Sequence, residues 1–486
     1  MQHPQVVAGE YLVEMDDPRV GRIIELAPLA KIPGAPASVR GPAPEPRRHT
    51  EEILNADVAP RPSRAASGTT LAGPLDGITI VEAATHYATP AGNALLSELG
   101  ARVIKIEAVT GDPYRHAVAP FGFDNLVRAT QGKEDLAVDL KDARGQEIVH
   151  RLVARADAFI HNFRAGVAER LRVDYETLRT INPRLVYQYG AAYGSTGPYR
   201  RQPAIDHIIA AFAGTTAYQA GEGNPPLQEQ GADPTAAAGN AVAMLLALRA
   251  RDRTGESQYV EAAMILSNLY LNAEDALSYA GKPARPPVDH LQLGTGPTYR
   301  LYETAPAGPV FRAEPYENPN PHWVFLAAQG DDDFARFCRV AGRDDLAVDS
   351  RFATRDDRAQ NRSALETELE SVFRTRTAKE WETSLLSAGV GCVTADAMSH
   401  FAFLYKDPQA RAIGMMAKSE HPRFGGAYWR HAPVICFSDT PGHGGPFCET
   451  GEHTRPILQE LGYDEEDIAR LKDAGVVNWP EHEKVP

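Results

Sequence analysis

PLDGITIVEAATHYATPAGNALLSELGARVIKIE, residues 74–107, is the stretch that decides the fold, because it has the pattern of one β-α-β unit. The apolar run 78–81 predicts a buried strand, 89–100 predicts a helix that ends at a glycine, and 102–106 predicts a second strand. Further strands are predicted at 137–140, 158–160 and 185–187, with a helix at 144–155. Strands that alternate with helices predict a parallel sheet covered on both faces, so the expected fold class is α/β.

Composition and charge narrow the class of protein. The 486 residues are enough for two or three domains, and 43% hydrophobic and 23% charged residues are typical of a globular protein. A net charge of −14 argues against a nucleic-acid or anionic-membrane partner, although a local anion site needs only a few basic groups. We find no signal peptide and no apolar run long enough to span a membrane, so we expect no membrane association.

The four cysteines are spaced too widely for a CxxC motif, and none has a histidine at metal-ligand spacing. They therefore predict neither a disulfide framework nor a zinc site, and no bound metal is expected. A reducing, cytoplasmic location is the default expectation for such a chain.

The chain divides into segments of different composition. Residues 58–73 are rich in Pro, Ala, Ser and Gly and predict a linker between 1–57 and the remainder. We assign 74–284 to a large domain, 285–405 to a smaller second domain, and 406–486 to a C-terminal segment that returns to the large domain. The Ala-rich stretch 234–251 predicts one long helix.

An internal repeat links the two ends of the chain. GEYLVEMDDPRVG (9–21) resembles GMMAKSEHPRFGG (414–426), and the pairs Ala27-Pro28 and Ala432-Pro433 follow at matching spacing. HTEEIL (49–54) then matches HTRPIL (453–458). We therefore interpret 1–57 as a partial copy of the C-terminal segment. The C-terminal copy already serves the large domain, and about 50 residues are too few to fold alone. We expect the N-terminal copy to dock on another chain or to be weakly ordered.

Local motifs are weak when each is taken alone. The turn after the first strand lacks GxGxxG, and no GxxxxGK[ST] occurs, so neither a dinucleotide fingerprint nor a P-loop is predicted. Asp233-Pro234 stands at the start of the long helix, and its ordinary structural interpretation is an N-cap followed by proline. The same position suits a nucleophile, because helix N–H groups and the helix dipole would lower the carboxylate pKa, and Ala236 to Gly239 are small. For Asp206, the ordinary interpretation is a carboxylate at the N-terminus of a helix.

Taken together, these segments resemble the class III CoA-transferase family, which includes formyl-CoA transferase, carnitine CoA-transferase and α-methylacyl-CoA racemase. The resemblance runs from about Pro74 to Val477 and depends on the order of many blocks, among them LLSELGARVIKIE (95–107), GDPYR (111–115), HNFRAGVAERLRVDYETLRTINPRLVY (161–187), GADPTAAAGN (231–240) and GEHT (451–454).

The resemblance implies a site and an activity. It implies that Asp233 is the catalytic nucleophile, which transfers coenzyme A from an acyl-CoA donor to a carboxylic acid acceptor through an aspartyl-CoA thioester. The CoA contacts that it implies are His86, Tyr87, Lys133, Asn162, Phe163 and Arg170, with Arg115 as a further phosphate ligand. Acyl-CoA and coenzyme A are then substrates, and the resemblance implies no metal.

The resemblance also implies a Rossmann-like large domain and an interlocked, ring-like homodimer. Two departures from the family pattern matter: Ala108 stands where some relatives carry an arginine, and Ile205 stands where racemases carry a histidine. A racemase needs an acid and a base on opposite faces of the α-carbon, so Ile205 disfavours that branch. A racemase-type enzyme and a non-catalytic subunit of a heteromeric transferase stay open as alternatives. The sequence does not identify the donor and acceptor acids.

Overall fold

The computed structural model describes residues 3–56, 71–118, 124–228, 231–309 and 317–480. Nearly all of the predicted linker lies outside these residues. The chain divides into two compact units, the first of 1–213, 229–283 and 417–486, and the second of 214–228 and 284–416. Residues 214–228, which the sequence predicts to be part of the large domain, belong to the second unit. Within the described residues, no helix has both the length and the apolarity needed to cross a bilayer.

The strands form one large sheet, one smaller sheet and two hairpins. They are β1 Leu12–Asp17, β2 Gly21–Leu26, β3 Thr79–Ala83, β4 Arg102–Glu107, β5 Glu134–Val138, β6 Ala158–His161, β7 Val186–Tyr189, β8 Gln258–Glu261, β9 Gly294–Gly296, β10 Tyr299–Glu303, β11 Trp323–Ala327, β12 Gly391–Thr394, β13 Met416–His421, β14 Gly426–His431 and β15 Val477–Asn478.

The α-helices of the described residues precede the first strand or stand between these strands, singly or in succession. They are α1 Pro4–Ala8, α2 Thr50–Asn55, α3 Ala88–Glu98, α4 Pro113–Val118, α5 Asp124–Thr130, α6 Ala143–Val153, α7 Val167–Arg170, α8 Tyr175–Ile181, α9 Asp206–Phe212, α10 Thr215–Gln219, α11 Ala232–Thr254, α12 Met264–Leu269, α13 Ala273–Ala276, α14 Asp331–Ala341, α15 Asp344–Val348, α16 Arg355–Gln360, α17 Arg362–Phe373, α18 Ala378–Ser387, α19 His400–Lys406, α20 Pro408–Ala412, α21 Thr454–Glu460 and α22 Glu465–Asp473.

The large sheet has the strand order β15-β5-β4-β3-β6-β7-β8. The pairs from β5 to β8 are parallel, and β15 pairs antiparallel with β5. This confirms the α/β class with a mainly parallel sheet. The strand order reverses between β3 and β6, where Ala83 lies opposite His161. Ligands of open α/β sheets bind beyond the carboxyl ends of the strands at such a reversal, so the segments after β3 and β6 mark the expected site.

Both faces of the large sheet are buried. Successive residues of a strand point to opposite faces, and the two sets belong to two different core clusters. Val81 and Ile104 belong to a core cluster that includes residues of α6, α21 and α22. Their neighbours Ile80 and Val103 belong to a second cluster with residues of α3 and α11. Gly92 allows α3 to approach α11 closely, since a Cβ there would lie 2.6 Å from the carbonyl oxygen of Ala237.

The two copies of the internal repeat have the same local structure. Strands β1 and β2 form an antiparallel hairpin, as do β13 and β14. At the turn of each hairpin, a buried side chain accepts a hydrogen bond from the backbone N–H of an arginine two residues later. Asp17 accepts from Arg19 at 2.8 Å, and His421 accepts from Arg423 at 3.2 Å. The repeat in sequence therefore encodes a repeat in structure.

The N-terminal hairpin packs against the large unit of its own chain. The buried amide of Gln5 donates to the carbonyl oxygens of Tyr193 and Thr196 at 2.7 and 2.8 Å. The backbone N–H groups of Lys31 and Glu261 donate to each other's carbonyl oxygens, which covers the edge strand β8. In the hairpin itself, the backbone groups of Ile24 bond both ways with those of Ser278. The expectation that this copy finds no surface in its own chain is therefore wrong for the segment 4–31. The α2 helix that follows is exposed along its whole length.

The second unit is built around its own sheet, β12-β11-β10-β9, in which neighbouring strands pair antiparallel. Its core contains Phe337, Phe373 and Trp381, and the indole N–H of Trp381 donates to the carbonyl oxygen of Phe373 at 2.8 Å. The same core includes residues of the helices α14, α17 and α18.

Candidate functional site

A cavity of about 720 Å³ lies in the first unit, beyond the carboxyl ends of the central strands. Its wall is formed by segments that follow β3, β6 and β7, together with the starts of α9 and α11. The polar and aromatic residues that line it are Thr85, His86, Tyr87, Thr89, Tyr114, Asn162, Phe163, Arg164, Tyr189, Tyr193, Arg200, Gln202, Asp206, His207, Asp233 and Asn240.

The turn after β3 is held by three side chains that bind consecutive peptide groups. Lys105 donates to the carbonyl oxygen of Ala84 at 2.7 Å. Asn162 accepts from the N–H of Thr85 at 3.0 Å and donates to its carbonyl oxygen at 2.8 Å. The N–H of the next residue, His86, donates to the Asp112 carboxylate at 3.2 Å.

These bonds fix a turn that includes a residue with unusual backbone geometry. His86 has a φ of +66°, a region that side-chain-bearing residues rarely occupy. It is held there by the bond from its own N–H to Asp112 and by the two bonds between Asn162 and the preceding residue, Thr85. The turn is thus preformed, and the His86 and Tyr87 side chains line the cavity.

A network of buried charged side chains lies next to this turn and holds the carboxylate that binds it. The ammonium group of Lys105 lies 2.9 Å from Asp112, 3.5 Å from Glu82 and 3.8 Å from Glu107. Burial would lower the Lys105 pKa, but these carboxylates and Asp135 outweigh it and raise the pKa above its ordinary value. Lys105 therefore stays protonated and pairs with Asp112, the carboxylate that accepts from the turn.

Asp233 lies in the first turn of α11, not at its N-cap as the sequence suggested. The N-cap is Gly231, which has no side chain to accept a hydrogen bond. The α11 N–H groups of Gly231, Ala232 and Asp233 instead donate to the carboxylate of Asp206, at 3.1 to 3.3 Å. Asp206 begins the separate helix α9, so one helix supplies the cap of the other.

The pKa of Asp233 is raised to about 7, first because burial disfavours its charged form and then because Asp206 lies nearby. The expectation of a lowered pKa is therefore wrong, because the helix N–H groups that would lower it are already bonded to Asp206. A carboxylate with this pKa is partly protonated at neutral pH.

The four small residues after Pro234 have different roles. Ala236 lines the cavity, as expected. Gly239 instead serves packing, since a Cβ there would lie 2.2 Å from the Ser267 hydroxyl oxygen. Ala237 is buried beside Gly92, and Ala238 is exposed. The room beside Asp233 is thus provided by one of these residues.

The predicted site residues do not all meet at this cavity. His86, Tyr87, Asn162, Phe163 and Asp233 line it. Three others lie elsewhere.

Lys133 is fully buried, pairs with Glu82 at 2.7 Å and donates to the Pro90 carbonyl oxygen. Arg115 pairs with Glu107 at 2.8 Å and lines a separate cavity of about 340 Å³. Arg170 is exposed at the end of the short helix α7.

Several residues that shape the site are not identified from the sequence. The cap formed by Asp206 joins residues 25 to 27 positions apart and leaves no local pattern. Asp112 stands in the block GDPYR, and Lys105 in KIE, which are both quoted for the resemblance without a role. Arg164 directly follows Asn162 and Phe163, which are predicted CoA contacts, so its place in the sequence could have indicated that it lines the same cavity.

Known proteins are similar to this chain over most of its length. The model of CoA-transferase family III matches residues 75–454. A succinate–glutarate CoA-transferase of Agrobacterium fabrum is 29% identical, over 80% of this chain and 96% of its own. An acetyl-CoA:oxalate CoA-transferase of Acetobacter aceti is 30% identical, over 82% of this chain and 96% of its own.

A solved structure shares the fold. A CaiB/BaiF family protein from Brucella suis has a TM-score of 0.64 and 27% identity, over 81% of this chain and all of its own.

Proposed function

The chain belongs to CoA-transferase family III and acts on CoA thioesters, and from this membership and the position of Asp233 we propose a covalent mechanism for it. CoA passes from an acyl-CoA donor to a carboxylic acid acceptor through an aspartyl-CoA thioester on Asp233. The observation that supports this most is a half-buried carboxylate at a helix start, facing a cavity beside a preformed turn.

The chemistry balances without an added reagent. An Asp233 oxygen attacks the thioester carbon of the donor, the C–S bond breaks, and CoA leaves as a thiolate from a mixed anhydride. The thiolate then attacks the Asp233 carbonyl carbon and releases the donor acid as a carboxylate. An acceptor carboxylate repeats these steps in reverse, which restores Asp233. Two thioester exchanges through an enzyme-bound intermediate replace one difficult transfer between free molecules.

The raised pKa fits the needs of this reaction. Asp233 must be ionised to attack, and a carboxylate of higher pKa is a stronger nucleophile once ionised. Oxyanion stabilisation by the N-terminal N–H groups of α11 is not part of the proposal, because Asp206 already accepts from them.

For CoA itself, we propose direct contacts from His86, Tyr87, Asn162 and Phe163, which line the cavity. An indirect role is proposed for Lys133 and Arg115, since each holds a buried carboxylate under the turn after β3. Arg170 lies outside the cavity wall and is proposed as a surface contact for a phosphate.

We propose that the large sheet is Rossmann-like, which its strand order supports, and that the enzyme works as an interlocked homodimer or with a related partner chain. Sedimentation equilibrium of the purified protein, alone and after co-expression, tests the assembly. A monomer at working concentration contradicts it.

The covalent step is tested by trapping. With acyl-CoA and hydroxylamine, we expect one Asp233 hydroxamate per active chain, identified by peptide mass. Asp233→Asn should lose both the hydroxamate and transfer, by at least about 1000-fold. Asp142→Asn, which removes a partly exposed capping carboxylate on α6, should keep full activity. Transfer that survives in Asp233→Asn overturns the mechanism, and loss of an α-deuteron from a 2-methylacyl-CoA at the rate of transfer favours the racemase alternative.

A further inference from the structure

Asp206 connects two helices that meet at the nucleophile. It is the first residue of α9, and its carboxylate accepts from N–H groups of Gly231 and Ala232, at 3.1 and 3.2 Å, and of Asp233 at 3.3 Å. Both Asp206 and Asp233 line the same cavity.

We propose that Asp206 is a positioning residue for Asp233, whose carboxylate fixes the first turn of α11 and keeps a second negative charge beside the nucleophile. As far as transfer is concerned, this rests on the proposed function. The structural part stands on the hydrogen bonds alone.

The backbone groups of this helix start are accounted for. A helix leaves its first N–H groups without partners inside the helix, and a side chain at the N-cap normally accepts from one or two of them. Gly231 offers no such side chain, and Pro234 has no N–H. The N–H of Thr235 donates to the carbonyl oxygen of Gly231 at 3.3 Å. The Asp206 carboxylate therefore caps α11 in place of an N-cap side chain. The start of α11 cannot shift without breaking its hydrogen bonds to Asp206.

The charge of Asp206 acts on Asp233 at the same time. The ionisable groups that line the cavity with these two carboxylates are His86, Tyr87, Tyr114, Arg164, Tyr189, Tyr193, Arg200 and His207. Burial and Asp206 raise the pKa of Asp233, and no cation is among the causes of that shift. Removing the charge of Asp206 while keeping a hydrogen-bond acceptor should make Asp233 more acidic.

Asp206→Asn largely separates the two roles. Its amide oxygen carries no charge but can still accept from Gly231 and Ala232, as Oδ1 of Asp206 does, and only the N–H of Asp233, which donates to Oδ2, loses its acceptor. We expect the acid limb of kcat/KM against pH to move down by about half to one pH unit, and the plateau rate to fall by a few-fold, because Asp233 with a lower pKa is a weaker nucleophile. Asp206→Ala, which loses the cap as well, should also lose roughly tenfold or more in kcat. Asp464→Asn, an equivalent capping change on α22, should move neither quantity.

A second measurement does not depend on transfer. Carbodiimide coupling of an amine requires a protonated carboxyl group, so its rate at Asp233, measured by peptide mass across pH, reports the titration directly. The coupling midpoint should fall in Asp206→Asn and stay in Asp464→Asn. If it falls but no variant transfers CoA, the proposed function fails and the positioning role stands. A midpoint that does not move in Asp206→Asn overturns the inference, and Asp206→Ser provides the same uncharged cap if the asparagine variant does not fold.

Discussion

Asp233 is a carboxylate that the folded protein makes less acidic, and this has a consequence for stability. Its pKa is raised from 3.8 to about 7 by burial and by Asp206. A group whose pKa is higher in the folded than in the unfolded state binds its proton more tightly when folded. Stability is therefore lost as the pH rises through that interval, and the loss is complete above the folded-state pKa.

We expect Asp233→Asn to stabilise the protein at pH 8 and to change little at pH 4, because the asparagine never pays the cost of a buried charge. The gain at pH 8 should be about 2–4 kcal/mol, from roughly 1.4 kcal/mol per pKa unit. Urea unfolding of both proteins at the two pH values measures it. An equal effect at both values would show that the pKa is not raised.

A second residue-scale prediction concerns the turn after β3. Asn162→Ala removes two hydrogen bonds to Thr85 and should raise KM for acyl-CoA about 5- to 50-fold, with a smaller effect on kcat, since about 1 kcal/mol is lost per bond. Asn182→Ala removes two similar bonds, to Val153 and Ala156, away from the cavity. It should lower stability without changing KM. Equal KM values in the two variants would contradict a role of the turn in CoA binding.

At this scale the sequence predicts residues that lie in contiguous motifs and misses those that act across the fold. His86, Tyr87, Asn162, Phe163 and Asp233 share one cavity, and each lies in a recognisable block. The cap from Asp206 and the burial that raises the Asp233 pKa are tertiary effects, so a pattern read along the chain gives the wrong direction for that pKa.

Among the elements, α2 and α21 are copies in different environments. In α21, Ile457 and Leu458 are 1% and 0% exposed within the core beside β5. Thr454 accepts from the N–H of Ala137 at 3.0 Å. The matching residues of α2, Ile53 and Leu54, are 68% and 78% exposed.

The copies give a matched pair of variants. Ile457→Ala should cost about 2–5 kcal/mol, because it leaves a cavity in the core. Ile53→Ala should change stability by less than about 0.5 kcal/mol. Both are measured by urea unfolding of the full chain. A large effect of Ile53→Ala would mean that α2 is covered by another chain in solution.

Elements with a clear hydrophobic period are predicted within a few residues of their ends. The helix predicted at 144–155 is α6, Ala143–Val153, and the one at 234–251 is α11, Ala232–Thr254. The strands of the second unit are not predicted, because β9 to β12 are short and stand among prolines and glycines. Strand β15 has two residues, which is too few for any period.

Over the whole molecule, the N-terminal hairpin is part of the large unit. Tyr11 is almost fully buried, and its hydroxyl donates to the carbonyl oxygen of Tyr193 at 2.8 Å. Tyr11→Ala should therefore destabilise the protein by about 3–5 kcal/mol. Val7→Ala, on the exposed side of α1, should have almost no effect. Thermal unfolding compares the two, and a small effect of Tyr11→Ala would show that the hairpin is not docked in solution.

The contact of Gln5 with Tyr193 joins residues 188 positions apart, so the N-terminal segment that carries α1 and the hairpin must wait during synthesis for its partner. A ribosome adds about 5–20 residues per second, so the partner of Gln5 is made roughly 10–40 s after Gln5 itself. An isolated two-stranded hairpin is at best marginally stable in water. This segment is thus made well before its partner and is among the last parts of the unit to reach its place, and until then its apolar side is open to chaperones and to neighbouring nascent chains.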